Sequence, residues 1–247
     1  MLIDAADAEF IRATFPKVEG WCLDESAWLT CCLLNSQVSH GLASGMLEIG
    51  VYKGKYLSVL FQKARRTAQA VLGIDTFQWS NRDEVVETFT RLFGSLEGLT
   101  LMTASSLDLT PSRLLDAMGG RRAGFISVDG DHSAAAVASD LVLAQRVLAP
   151  GGIIAIDDFL NPRAIGVGEG AYRYFLVTAE PSLRPFVYCA NKLYVADREY
   201  HDAYRSAIAA FLEERTDLPV AQEFVRMQKM GQGHVEQDLL GGKVLIL

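Results

Sequence analysis

The sequence predicts an α/β protein built on a mostly parallel sheet with helices on both faces. Three observations carry this. Five short apolar runs rich in Val, Ile and Leu recur between residues 45 and 158. Segments with apolar residues at three- and four-residue spacing alternate with them. Polar residues collect where the runs end, and ligands on such sheets bind outside the carboxyl ends of the strands, near the switch in strand order.

The elements follow in order. Residues 1–44 read as a helical cap: "DAEFIRATF" and "DESAWLTCCLLNSQVSH" carry helical spacing, and Gly41 is a stop signal. "GMLEIGV" is the first strand, "KYLSVLFQKARR" a helix and "AVLGIDTF" the second strand. "SNRDEVVETFTRLF" is a helix with Ser80 as N-cap and Asp83 three residues on. "LTLMTAS" is the third strand, and "TPSRLLDAM" a short helix capped by Thr110 with Pro111 at its first position. "AGFISVD" is the fourth strand. "HSAAAVASDLVLAQRVL" is a helix ended by "APGG", and "GGIIAIDD" is the fifth strand. "NPRAIGVGEG" reads as a mobile, glycine-rich lid before the helix "EGAYRYFLVTA". "RPFVYCA" and "KLYVAD" alternate as a hairpin around Asn191, and "REYHDAYRSAIAAFLEERT" is the last helix, followed by a tail ending "GGKVLIL". With no repeat or linker, the chain reads as one domain: cap 1–44, core 45–197 and C-terminal extension 198–247.

Composition limits the partners. The chain has 247 residues, a net charge of −7 and no basic run, which argues against nucleic acid. Cys22, Cys31, Cys32 and Cys189 lack the spacing of a zinc site or disulfide framework and fit a reducing cytoplasm. The opening "MLIDAADAEF" lacks a signal pattern, and no apolar run reaches the ~20 residues that span a bilayer. A soluble, cytoplasmic protein with no membrane partner is expected. The N-terminal helices and "KVLIL" suggest a homodimer interface, since an exposed edge strand pairs across chains.

The chemistry sits at the strand ends. "LEIGVYKGKY" places Glu48, Gly50, Tyr52 and Gly54 at the exit of the first strand. Glycine there permits a tight turn and close ligand approach. The G-x-G-x-x-G of dinucleotide sites is missing. E-x-G-x-x-x-G suits a cationic or zwitterionic ligand without pyrophosphate, of which S-adenosylmethionine is the obvious one. Asp75 ends the second strand, where a carboxylate accepts from ribose hydroxyls, a device that NAD sites share. Ser105 and Ser106 end the third, able to meet an adenine edge or to cap a turn. "GFISVDGDHSAAA" ends in Asp129, Asp131 and His132, and "GGIIAIDDFLNP" in Asp157 and Asp158. If these two strands are neighbours, roughly 4.8 Å apart, the carboxylates converge and call for a cation. Oxygen ligands select a hard ion, Mg²⁺ first, with Mn²⁺ or Ca²⁺ as alternatives. Asp131 is either a further participant or, like Ser133, a cap of the next helix. The helix dipole at His132 would keep it neutral and basic. Arg163 and Glu169 are candidate substrate contacts, whereas Trp21, Trp28 and Met102 read as packing residues.

The ordered set "LEIGVYKG", "GIDTF", "LTLMTASSLD", "ISVDGDH" and "APGGIIAIDD" resembles class I S-adenosylmethionine-dependent methyltransferases. It looks most like the metal-dependent small-molecule O-methyltransferases, both the catechol type and the macrolide and aminocoumarin sugar type. The resemblance implies a Rossmann-like, seven-stranded, mostly parallel sheet with a C-terminal antiparallel hairpin. It puts Glu48, Gly50, Tyr52 and Gly54 at the methionine end of the cofactor, Asp75 at the ribose, and Ser105 and Ser106 at the adenine, with Asp129 bordering the cofactor. It makes Asp129, Asp157 and Asp158 the ligands of Mg²⁺ or Mn²⁺. The acceptor would be a hydroxyl of a small molecule, a natural-product sugar or a polyphenol. Tyr56 stands where a small hydroxyl residue is usual, and Asp158 matches the sugar branch. His132 matches neither branch, which leaves His132 and the metal-bound Asp129 as candidates for the base. The rival readings are an NAD-dependent oxidoreductase and a non-catalytic S-adenosylmethionine-binding protein.

Overall fold

The computed structural model describes residues 2–178 and 182–247. A short helix, α1 (Ala5–Glu9), opens the chain, capped by Asp4, whose side chain accepts from Asp7 N. It runs on through a π-helical turn (Phe10–Thr14) and a 3-10 turn (Phe15–Lys17) to α2 (Asp24–Ser39). The alternating units follow: β1 (Gly45–Ile49), α3 (Lys55–Thr67), β2 (Val71–Asp75), α4 (Arg82–Phe93), β3 (Leu99–Thr103), α5 (Pro111–Ala117), β4 (Ala123–Val128), α6 (Ala134–Val147), β5 (Leu148–Ile156) and α7 (Ile165–Val177). The hairpin β6 (Leu183–Cys189) and β7 (Lys192–Asp197) turns on Ala190 and Asn191, both with left-handed backbone. After α8 (Arg198–Glu214) come α9 (Pro219–Met230), β8 (Glu236–Leu239) and β9 (Gly242–Ile246).

Among the described residues the sheet has nine strands in the order β3-β2-β1-β4-β5-β7-β6-β9-β8. Pairings among β3, β2, β1, β4 and β5 are parallel, and β7 is antiparallel to β5 and β6. The seven-stranded expectation therefore holds for β1–β7 and misses a second hairpin. "KVLIL" is not a free edge: β9 pairs with β6 on one side and β8 on the other. The outer strand is "EQDL", whose charges suit a solvated edge.

Three other local readings change. The cap of α4 is Asn81, which accepts from Asp83 N, rather than Ser80. "APGG" lies within β5 instead of ending α6. "GVGEG" forms the first turns of α7 rather than a glycine-rich loop. Its glycines allow helix–helix contact: a Cβ at Gly166 would stand 2.4 Å from His132 O, and one at Gly170 would stand 2.7 Å from Ala134 O. Thr110, by contrast, caps α5 as expected.

Side chains alternate across the strands and fill two cores. Met46, Phe125, Ile153, Ala155 and Tyr194 face α2, α3 and α8 on one side. Leu47, Ile49, Ile126, Val128, Ile154 and Ile156 face α5, α6 and α7 on the other. Among the described residues no helix is long and apolar enough to cross a membrane.

Candidate active site

Register builds the site. Ile74 pairs with Ile49, Ile49 with Val128 and Val128 with Ile156, while antiparallel β7 sets Leu193 against Ile156. One step beyond, Asp75, Gly50, Asp129, Asp157 and Lys192 form a row across five strands. Backbone bonds hold it together: Gly50 N donates to Ile74 O at 2.8 Å, Asp129 N to Ile49 O at 2.8 Å and Asp157 N to Val128 O at 3.0 Å. The switch in strand order falls between β1 and β4, within this row.

The period of two decides which face the row serves. Glu48, Asp129, Asp157 and Lys192 continue the face of Met46, Phe125, Ala155 and Tyr194, toward α2 and α3. Gly50 has φ 90, and a Cβ there would lie 1.8 Å from Asp129 O. Glycine is thus required for β1 and β4 to end side by side. Gly54 has φ 84, and a Cβ there would meet the Phe89 ring at 2.7 Å. Tyr52, with left-handed backbone, donates its N–H to Asp75 Oδ2 at 2.7 Å, and Phe77 N donates to Asp75 Oδ1 at 2.6 Å.

Glu48 is 2% exposed, and its Oε2 has no hydrogen-bond partner. Burial, then the charge of Asp129, pushes its carboxyl well above the usual range, with Lys192 opposing. A buried acid with a free oxygen suits a ligand bearing a positive group. Asp129 is pushed up to about 8, by burial first and then by the adjacent charge of Asp157. Asp157 goes the other way: burial opposes its ionisation, but Lys192 and a hydrogen bond with Asp129 hold its carboxyl below the usual range.

Asp158 takes a left-handed turn, φ 56. Its Oδ1 accepts from Asn161 Nδ2 at 2.9 Å and Asn191 Nδ2 at 2.6 Å. Its Oδ2 is left facing His132 Nε2 at 3.5 Å, and Asp129 Oδ1 lies 3.6 Å from the same nitrogen. Ligand atoms of Asp129, His132 and Asp158 all lie within 4.8 Å of one another, a spacing one metal ion can bridge. Asp157 is outside this group because its Oδ2 is turned to Lys192 Nζ, 2.8 Å away. Carboxylate oxygens plus one imidazole fit a divalent ion, and the two amides on Asp158 are the kind of outer partners that orient a ligand.

His132 precedes α6, whose cap is Ser133; Asp131 Oδ1 accepts from Ser133 N at 2.8 Å, which makes Asp131 a turn residue. The expected effect of the helix dipole is overridden. The carboxylate of Asp129 beside Nε2 raises the imidazole pKa, aided by the charge of Asp158. Ser105 accepts from Leu107 N at 3.3 Å, and Ser106 faces the buried Asp140. Glu169 pairs with Arg173 along α7, and Arg163 is exposed with its N–H bound to Asn161. Neither is drawn into the cluster. Trp28 and Met102 pack as expected, but Trp21 is 84% exposed and stacks on Tyr52 at 5.1 Å, beside the turn after β1.

Lys192 is the charged member of the row that sequence reasoning missed. A lysine directly after a tight turn, starting the strand antiparallel to the Asp157–Asp158 strand, was the available signal. It becomes readable only once the register of β7 is known.

Residues 47–159, from β1 to just past β5, match the family model of a methyltransferase domain. Among solved structures of similar fold is the O-methyltransferase NovP, with TM-score 0.55 and 14% identity over 70% of this chain and 78% of that one. The SAH-bound Podospora anserina methyltransferase PaMTH1 aligns with TM-score 0.53 and 17% identity over 79% and 89%. The calicheamicin methyltransferase CalS11 aligns with TM-score 0.52 and 15% identity over 69% and 78%. No curated protein matches the sequence. The stretch from β1 to β5 thus matches a methyltransferase domain, and the fold is the one these solved methyltransferases share.

Proposed function

We propose that this protein transfers the methyl group of S-adenosylmethionine to a hydroxyl of a small molecule, a natural-product sugar or a polyphenol. The observation that carries the reading is the row Asp75, Gly50, Asp129 and Asp157 at the strand-order switch, with the buried, partnerless oxygen of Glu48 beneath it. Glu48 would meet the cationic methionine end, lined by Gly50, Tyr52 and Gly54. Asp75 would accept from the ribose hydroxyls through the lone pairs its two backbone bonds leave free. Ser105 and Ser106 would border the adenine, and Asp129 the sulfonium side.

Asp129 and Asp158 would hold Mg²⁺ or Mn²⁺, and Asp157 would join them through whatever it does not give to Lys192. Such an ion supplies charge that favours the ionised acceptor oxygen. His132, whose Nε2 lies 3.6 Å from Asp129 Oδ1, would take the acceptor proton, with Asp129 orienting its ring. The similar fold of CalS11, a calicheamicin methyltransferase, supports the natural-product reading of the acceptor. The methyltransferase-domain match leaves the oxidoreductase reading without support.

The deciding experiment is calorimetric titration of the full chain with S-adenosylmethionine, with magnesium and with chelator, followed by transfer assays on hydroxylated acceptors. Micromolar cofactor binding and chelator-sensitive methylation are expected. Cofactor binding with no transfer to any acceptor favours the non-catalytic reading. No cofactor binding by folded protein sinks the proposal.

A further inference from the structure

The turn between β6 and β7 delivers two consecutive side chains to two consecutive carboxylates. Asn191 donates to Asp158 Oδ1, and Lys192 Nζ stands 2.8 Å from Asp157 Oδ2. The left-handed backbone of Ala190 and Asn191, with φ 47 and 73, makes this possible. Phe159 N, bound to Asn191 O at 3.1 Å, fixes the turn to the end of β5.

Lys192 is 2% exposed. Its ammonium lies 4.2 Å from the centroid of the Tyr56 ring, and the Tyr56 hydroxyl is hydrogen-bonded to Thr30 Oγ1 at 2.8 Å. Tyr56, unusual at its position, thus forms a floor for a buried cation. Asp157, Asp129, Cys22 and Tyr194 are the other groups that face the ammonium. A lysine this buried persists only where fixed negative charge answers it. The methyl-transfer reading gives it no task.

We propose that Lys192 is a built-in counter-ion that competes with the divalent cation for Asp157 and so weakens metal binding at the site. This deepens the metal reading and rests on it. Lys192 holds one oxygen of Asp157, which removes that carboxylate from the group formed by Asp129, His132 and Asp158. A fixed positive charge in a low-dielectric pocket also repels a divalent ion directly. Both effects have the same sign. A lysine that only shaped the pocket would have the opposite signature, since its loss would loosen the ligands.

The test is Mn²⁺ binding to the full chain, titrated by electron paramagnetic resonance, with thermal melts to check folding. Lys192→Met should bind Mn²⁺ at least about tenfold more tightly than the parent, and Lys192→Arg, which keeps the charge, should stay within about threefold. Equal or weaker binding by folded Lys192→Met overturns the proposal while leaving the metal reading intact. Absence of binding in both the parent and Lys192→Met overturns the metal reading itself. Binding in Lys192→Met alone supports the competition. Should Lys192→Met not fold, Lys192→Gln, which also removes the charge while keeping a polar end for Asp157, provides the comparison. It should again bind about tenfold more tightly than the parent, and equality overturns the proposal.

Discussion

His132 lies between two carboxylates, and that position decides its titration. Its raised pKa means that, as a base, it becomes competent only as pH rises through a value above 6.5. The acid limb of kcat/KM should therefore lie above 6.5, and Asp158→Asn should move it to lower pH. A limb unmoved by Asp158→Asn would assign it to another group. His132→Ala should lower turnover by about 10²-fold or more while leaving cofactor affinity unchanged. Asp140 has the opposite character, because it is buried and pushed up to about 6 chiefly by that burial. Its folded pKa exceeds its unfolded one, so stability falls as pH rises from about 4 through 6. Asp140→Asn should flatten that fall and raise stability at pH 7.5 by about 1–3 kcal/mol, read from urea midpoints at pH 4 and pH 7.5. At this scale the sequence was informative wherever an ionisable residue ended an apolar strand, as Asp75, Asp129, Asp157 and Asp158 do. It was silent on Lys192, whose meaning depends on a partner strand, and it misled on Ser80, where Asn81 was an equally good cap one residue later.

Elements show why glycine had two readings in this chain. In the turn after β1, Gly50 was expected to let the backbone approach closely, and the backbone that approaches is Asp129 O. Gly50→Ala combines a positive φ with that clash, so it should cost about 3 kcal/mol or more in chemical denaturation. A loss below about 1 kcal/mol would mean that β1 and β4 separate easily at their ends. In "GVGEG" the same residue type was taken as a loop signal, since glycine is a poor helix former. There Gly166 and Gly170 instead let α7 lie against the start of α6, so packing outweighed local preference. Strands and their ends were legible from period two; the start of α7 was not, because its helix-permitting contacts come from another segment.

The whole molecule is tied together by buried charge at a second place, remote from the site in sequence. Asp7 of α1 is fully buried and receives Asn35 of α2 and Gln62, Lys63 and Arg66 of α3. Asp7→Ala leaves Lys63 buried without its counter-charge, with only the Asn35 amide oxygen to accept from it, and should destabilise the chain by about 3–5 kcal/mol in chemical denaturation. A change under about 1 kcal/mol would mean the N-terminal cap contributes little to global stability. The first seven strands and their flanking helices were expected from alternation alone. The second hairpin was not, because a short charged strand and a glycine-bounded tail have no periodicity to read, and α9 was passed over although its apolar residues have helical spacing.

The order in which the strands lie has a consequence for biosynthesis. The chain completes β5, lays β6 one place further out, and only then returns β7 inward beside β5. A nascent chain emerging from the ribosome therefore displays Glu48, Asp129, Asp157 and Asp158 well before Lys192 has been made. During that interval the acids have no resident ammonium to answer them. Lys192 thus joins the row only with β7, the strand that fills the place between β5 and β6, while β8 and β9 are still to come on the outer side of β6.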